Sequence, residues 1–250
     1  MIIPRYFLLY NFLILFFLMF CLTFCATNPQ ESSGKGAQSN NDTLWWQKAA
    51  KKMVKNHIRS RGISDRRLLS AMENTPRHEF VPKNLVSYAY DDNPLPIAEQ
   101  QTISQPYIVA LMTELLQLKG HERILEIGTG SGYQAAVLSP LVDSCYSIEL
   151  LKPLADTAAA VLHKLGYKNV VVRQGDGYKG WPGHAPFDGI IITAAPEEIP
   201  EDLIDQLRIG GRMVVPVGKF DQELWVVTKT KNGALKEKII PVRFVPLVKP

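Results

Sequence analysis

The chain has 250 residues, with 28 Lys and Arg against 24 Asp and Glu, enough for one large or two small folded units and too evenly charged to demand a nucleic-acid partner. Of its 3 cysteines, Cys21 and Cys25 sit in an apolar run, so no disulfide framework is available. His57, His78, His121, His163 and His184 are scattered without an H-E-x-x-H pair, and no G-x-S-x-G elbow occurs, so neither a metal site nor a hydrolase triad is indicated.

The chain opens on Arg5 and then Tyr6–Phe20, apolar except for Asn11, with the apolar character continuing to Ala26. That run is long enough to cross a bilayer, and residues 1–26 are expected to be a signal peptide or a membrane anchor. Phe24 precedes Cys25 where a lipoprotein signal wants a small residue, and it also spoils the small-x-small pattern ending at Ala26. Residues 27–43 are polar, rich in Ser, Asn, Gln and Gly, and read as a flexible linker, leaving 44–250 as one folded domain. Lys48, Lys51, Lys52, Lys55, Arg59 and Arg61 then follow with no acid among them, while Ala50, Met53, Val54 and Ile58 recur at helical spacing. This is the pattern of a solvated basic face over a packed apolar one, and no aromatic platform for RNA accompanies it.

Further along, Ile108, Leu111, Met112, Leu115 and Leu116 predict a helix over 106–118. Ser104-Gln105-Pro106 at its entrance has the form of an N-cap followed by a first-turn proline, a place from which Ser104 could also face a ligand. The next apolar run ends in Leu125-Glu126-Ile127-Gly128-Thr129-Gly130-Ser131-Gly132-Tyr133, which reads as a strand-to-helix turn. Glycines there let the backbone approach a ligand where a Cβ would collide, and the helix start beyond offers free N–H donors. A dinucleotide turn has the form G-x-G-x-x-G and a phosphate loop needs G-K-[ST]. Here the third glycine comes one residue early and Glu126 precedes Gly128, Gly130 and Gly132, which is the E-x-G-x-G-x-G form of S-adenosylmethionine enzymes.

Glu149 closes the run Cys145–Ile148 at the offset where an acid hydrogen-bonds ribose hydroxyls in such folds. Leu154, Ala158, Val161 and Leu162 predict a helix over 152–165. Val170–Gln174 leads into Gly175-Asp176-Gly177-Tyr178, where Asp176, beside Gly177, could accept from an adenine amino group or form an ordinary Asp-Gly turn. Phe187–Pro196 is apolar enough to be a parallel strand buried on both faces. After Gly210-Gly211 come a strand at Arg212–Val217 and a hairpin, Glu223–Lys229 and Leu235–Phe244, around Asn232-Gly233. The expected fold is α/β: a doubly wound, mostly parallel, Rossmann-like sheet of the S-adenosylmethionine-dependent methyltransferase type with a C-terminal antiparallel hairpin.

Thr102–Ala110, the glycine turn, Gly175–Pro182 and Val242–Leu247, with Pro76–Pro82 and Ala89–Asp92, closely resemble protein-L-isoaspartate O-methyltransferases from about Met53 to the C-terminus. The resemblance implies methyl transfer from S-adenosylmethionine to the α-carboxylate of isoaspartyl residues in damaged proteins and peptides, with Ser104 as the catalytic serine, no nucleic-acid partner and a monomeric enzyme. Ala98 and Gln100 depart from it, standing where the family often has glycines. The alternative is another methyltransferase acting on a small molecule or nucleic acid, although no Asn-Pro-Pro-Tyr type motif for a base amine is present. A carboxylate acceptor is already ionised at neutral pH and needs no general base, so the residues are asked for alignment, and Ser104 for a hydrogen bond to the acceptor. The family and its methyl donor imply the cytoplasm, whereas residues 6–26 argue for membrane attachment or export.

Overall fold

The computed structural model describes residues 45–250. The expected signal or anchor (1–26) and linker (27–43) lie outside the described residues. Among the described residues no helix is long and apolar enough to cross a membrane.

The domain opens on helix α1 (45–53), which continues through a π turn, Val54–Ile58, and a 3-10 turn, Arg59–Arg61. Ala50, Met53, Val54 and Ile58 are buried while Lys48, Lys51, Lys52, Lys55 and Arg59 are exposed, the division the sequence pattern predicts. Helix α2 (Arg66–Asn74) is capped by Asp65, whose carboxylate accepts from the Arg67 and Leu68 N–H groups. A small antiparallel pair, β1 (Leu95–Pro96) and β2 (Thr102–Ile103), then leads to helix α3 (Pro106–Leu115).

A seven-stranded sheet follows, built from β3 (Arg123–Ile127), β4 (Ser144–Glu149), β5 (Val170–Gln174), β6 (Phe187–Ile192), β7 (Leu207–Val217), β8 (Gln222–Thr230) and β9 (Gly233–Val242). In space the order is β5-β4-β3-β6-β7-β8-β9. The strands are parallel from β5 to β7, and antiparallel where β8 meets β7 and β9 meets β8. Three further helices, α4 (Tyr133–Leu138), α5 (Lys152–Lys164) and α6 (Glu201–Asp205), connect them.

Both faces of the sheet are covered. Alternate residues such as Ile124, Ile191, Val214 and Val226 join the larger core with α1 to α4, while Leu125, Ile127, Ile190, Ile192 and Met213 join a second core that includes Leu203 and Ile204 of α6. This two-sided burial is why the central strands read as continuous apolar runs.

Two boundaries differ from the sequence reading. Helix α3 stops at Leu115 rather than 118, because Gln117 turns left-handed (φ 56°) and the next turn is organised by Glu122, whose carboxylate accepts from the Lys119, Gly120 and His121 N–H groups. Strand β7 begins at Leu207, ahead of Gly210-Gly211, with the glycines inside it beside a register shift against β6. A Cβ on Gly211 would come within 3.0 Å of the Asp188 carbonyl oxygen, so the bulge needs glycine there.

Gly132, the N-cap of α4, has φ 88°, and a Cβ there would lie 3.2 Å from Leu162 and 3.3 Å from Ala158 of α5. Gly132→Ala is therefore expected to lower stability by about 1–2 kcal/mol through left-handed strain alone, with the tight helix contact adding to it. Chemical denaturation reads this directly, and an unchanged midpoint would mean that the turn relaxes at no cost.

Candidate active site

Four loops converge at the carboxyl ends of β3, β4, β5 and β6, where the strand order reverses and open α/β sheets bind ligands. They enclose a cavity of about 290 Å³. The turn after β3 supplies Gly128 to Ser131 and Tyr133, the end of β4 supplies Ile148 to Leu151, β5 leads to Gly177, and β6 to Thr193 and Ala194. The rest of the lining includes Gln100–Ser104, at the β1–β2 hairpin, and Val245–Val248.

The glycine turn is shaped by close approaches. Gly128 has φ 93°, and a Cβ there would meet the Thr193 hydroxyl at 2.6 Å. That hydroxyl donates to the Gly128 carbonyl, and the Gly128 N–H donates to the Ile148 carbonyl at 2.8 Å. Gly130 also has a positive φ, and its N–H donates to Glu149 Oε2 at 2.8 Å. The second oxygen of Glu149 accepts from the Leu151 N–H at 3.0 Å. One nearly buried carboxylate thus ties two loops together at the cavity wall. A Cβ on Gly177 would overlap Ile127 Cγ2 at 2.4 Å, which keeps that wall bare.

Of the residues expected at the site, Ser104, Gly128, Gly130, Glu149 and Gly177 line the cavity, while Glu126, Gly132 and Asp176 do not. Gly132 packs against α5 as described. Asp176 Oδ1 accepts from the Tyr178 N–H at 2.9 Å and caps the 3-10 turn Gly177–Lys179, the ordinary Asp-Gly geometry. Glu126 is fully buried: Oε2 accepts from the Ser147 hydroxyl, which is 2.6 Å from that of Thr129 in the glycine turn, and Oε1 has no hydrogen-bond partner among the described residues.

The expected capping role of Ser104 is corrected. The N-cap of α3 is Gln105, without a side-chain cap, and the Tyr107 N–H donates to Asp92 Oδ1 at 2.9 Å, so a carboxylate from a preceding loop does the capping. Gln105 Nε2 donates to Asp92 Oδ2 at 2.8 Å, and Arg61 pairs with the same oxygen at 3.2 Å. The Ser104 hydroxyl hydrogen-bonds to no other described residue and stays on the half-buried cavity wall, able to meet a ligand. Beside it, Glu99 and Gln100 hold left-handed φ values of 55° and 56°. Gln100 is one of the two departures from the family's glycines, and it keeps the backbone that glycine adopts freely, at a cost on the order of 1 kcal/mol.

Residue-by-residue reading missed the hydroxyl and amide lining, Thr129, Ser131, Gln134 and Thr193, and the wall at 245–248. The wall's signal lay in Val242–Leu247, a segment informative only by resemblance. It is held by the Ala195 N–H donating to Val245 O and the Leu247 N–H donating to Ala195 O, both at 2.8 Å.

The lining suits a nucleoside with an amino-acid tail: the Glu149 carboxylate, the Ser131 hydroxyl and apolar Ile148, Leu150 and Leu247 around a bare glycine floor, while the N–H groups of Gly128, Gly130 and Gly132 are spent on holding the turn itself.

Residues 48–250 match the family model described as protein-L-isoaspartate(D-aspartate) O-methyltransferase. The chain is 54% identical over 202 residues to a protein-L-isoaspartate O-methyltransferase of Geobacter metallireducens, covering 80% of this chain and 94% of the relative. It is 52% identical over 199 residues to that of Gloeobacter violaceus, covering 79% and 97%. Among solved structures, one named protein-L-isoaspartate O-methyltransferase superposes with a TM-score of 0.71 at 31% identity, over 80% of this chain and 65% of that one. Another, assigned as such a methyltransferase from Plasmodium falciparum and holding S-adenosyl-L-homocysteine, gives 0.70 at 26% identity, over 80% and 99%.

The buried Glu126 carboxyl makes stability depend on pH. Burial, assisted by the charge of Glu149 and opposed by the Ser147 hydrogen bond, pushes its pKa up to about 8. The folded chain then keeps a proton that the unfolded chain gives up above its ordinary value of 4.5, so stability falls as pH rises from about 4.5 to about 8. Glu126→Gln removes this dependence, and its stability relative to the parent is expected to grow by roughly 1.4 kcal/mol per pH unit within that window. Melting curves of the two proteins that stay parallel from pH 5 to 8 would show that the carboxyl is not raised.

Proposed function

We propose that this chain, which belongs to the protein-L-isoaspartate(D-aspartate) O-methyltransferase family, aligns its acceptor with Ser104 and holds its methyl donor on the 128–131 turn and Glu149. Its activity is S-adenosylmethionine-dependent methylation of the α-carboxylate of isoaspartyl residues in damaged proteins, which initiates their repair. When bound, S-adenosylmethionine supplies a methyl group on a sulfonium that departs as a neutral thioether, so no acid is needed.

The observation that carries the division of labour is that Ser104 lines the same cavity as the glycine turn from a separate part of the chain, with no partner for its hydroxyl among the described residues. The Gly130 N–H and Glu149 fix the donor side. Glu149 has lone pairs left for ribose hydroxyls after accepting from Gly130 and Leu151. Ser104 donates one hydrogen bond to the acceptor carboxylate and orients it, while Ile103, Val109 and the 245–248 wall keep water away. Asp176, held in its turn, contributes by shaping the floor at Gly177, and adenine recognition by it is a further part of this reading. Glu126 and Gly132 support the donor turn from behind.

Ser104→Ala is expected to lower turnover of an isoaspartyl peptide about 10- to 100-fold, the worth of a hydrogen bond to a charged group, and to leave S-adenosylhomocysteine affinity near that of the parent. Calorimetry and a methyl-transfer assay, run beside the normal aspartyl twin of the peptide, read both quantities. A matching loss of S-adenosylhomocysteine affinity would move Ser104 to the donor side, and equal methylation of the twin would overturn the isoaspartyl reading.

In this reading residues 44–250 are the whole catalytic unit, supported by the family match from residue 48. The chemistry belongs where S-adenosylmethionine is made, in the cytoplasm, with residues 6–26 as a membrane attachment or export signal. Deleting residues 1–43 is expected to leave a soluble, active methyltransferase, while the full chain sediments with membranes. An inactive or misfolded truncation would show that the deleted segment packs on the domain.

A further inference from the structure

Arg77 is the largest fully buried side chain of the domain, at 0% exposure, and no carboxylate of a described residue lies within ion-pair distance of it. Burial lowers its pKa, with Tyr133, Tyr90 and Asp92 acting the other way, and a guanidinium stays charged at neutral pH, so the domain holds in its interior a cation without an ion-pair contact to any described residue. Such a charge is a poor way to gain stability, since an apolar side chain of similar volume fills the space at lower cost.

The fork of the guanidinium shows what the group does. Nε donates to the Ala89 carbonyl and Nη2 to the Ser104 carbonyl, each at 2.8 Å. The guanidinium carbon lies 4.6 Å from the centre of the Tyr133 ring. Tyr133 opens α4 immediately after the glycine turn and lines the cavity, and Phe80, from the same 3-10 turn as Arg77, packs edge-on against it at 5.6 Å. Ala89 leads into the loop whose Asp92 caps α3 beyond Ser104. A single side chain therefore touches the acceptor-side backbone at Ser104 and the donor-side ring at Tyr133, without reaching the cavity itself.

We infer that Arg77 is a positioning residue, which sets the separation between the Ser104 hydroxyl and the donor-holding turn by bracing the Ser104 backbone against Tyr133. This rests on the acceptor-side role proposed for Ser104. The geometry requires a planar fork with two donors in fixed directions. A lysine keeps the charge but cannot bridge Ala89 O and Ser104 O while also keeping the contact with Tyr133.

The test is a double-mutant cycle on the full chain, with Arg77→Lys, Arg77→Met, Ser104→Ala and the Ser104→Ala/Arg77→Lys pair. It reads isoaspartyl-peptide kcat and KM alongside S-adenosylhomocysteine affinity by calorimetry. Both Arg77 variants are expected to lose on the order of 10²-fold in kcat, the cost of misplacing a reacting group by about 1 Å, with affinity for S-adenosylhomocysteine within about threefold of the parent. In the Ser104→Ala background the lysine change is expected to cost no more than roughly threefold, because the hydroxyl it places is gone. Lysine restoring parental turnover would overturn the inference by showing that charge is enough. Additive losses in the cycle would overturn it by separating Arg77 from Ser104, and absent S-adenosylhomocysteine binding in both Arg77 variants would make Arg77 a folding residue instead. Parental turnover by Ser104→Ala alone would overturn the assignment of Ser104 itself, a result read independently of Arg77.

Discussion

The geometry of the site hangs on the carboxylate of Glu149. It stands at the end of β4, where the parallel ladder with β3 fixes its position through Ile127 opposite Ile148, and it reaches across that ladder to hold the Gly130 N–H. With its other oxygen it holds the Leu151 N–H, so the loops that leave two neighbouring strands cannot separate. The turn of E-x-G-x-G-x-G form is thus shaped by an acid outside it. Gly128 allows the backbone to pass Thr193, Gly132 allows it to pass α5, and Glu149 decides where the intervening N–H groups point.

The acceptor side obeys a different logic. Ser104 belongs to no strand of the large sheet, and its surroundings come from loops and helices that precede the sheet in the chain. Asp92 organises the entrance of α3 by accepting from Tyr107 and Gln105 and pairing with Arg61, whose guanidinium also lies over the Tyr107 ring at 3.4 Å. His78, in the 3-10 turn Arg77–Phe80, adds a hydrogen bond of 2.8 Å to Tyr90, just ahead of Asp92. The turn that ends the basic helix is therefore connected to the segment carrying Ser104 through a short chain of polar contacts, although the lysines of that helix face solvent.

Much of this was legible in the residues. The β3 and β6 runs are plain because strands buried on both faces leave no polar alternation, and the Asn232-Gly233 hairpin because few other pairs suit that turn. Glu149 was found by its offset from the glycines. The roles of Glu126, Gly132 and Asp176 were less legible, because spacing says that a residue lies near a turn and not whether its side chain points into the cavity or behind it. Ser-x-Pro is a local pattern that suggests Ser104 as a cap as well as a ligand-facing group, whereas the group that caps the helix, Asp92, lies 15 residues from Tyr107. Arg77 was invisible as anything beyond part of a motif, since nothing local marks an arginine as buried.

The wall at 245–248 places the cavity among the most non-local objects in the fold. The turn at 128–131 meets residues over a hundred positions further along the chain, which lie beyond β9 and are held there by a β-bridge between Ala195 and Pro246. No fragment of the domain that lacks the hairpin contains the site. A molecule that fills the cavity is therefore a ligand of the whole cooperative unit: its binding energy counts against global unfolding by mass action, and saturation with it protects strands far from any atom it touches.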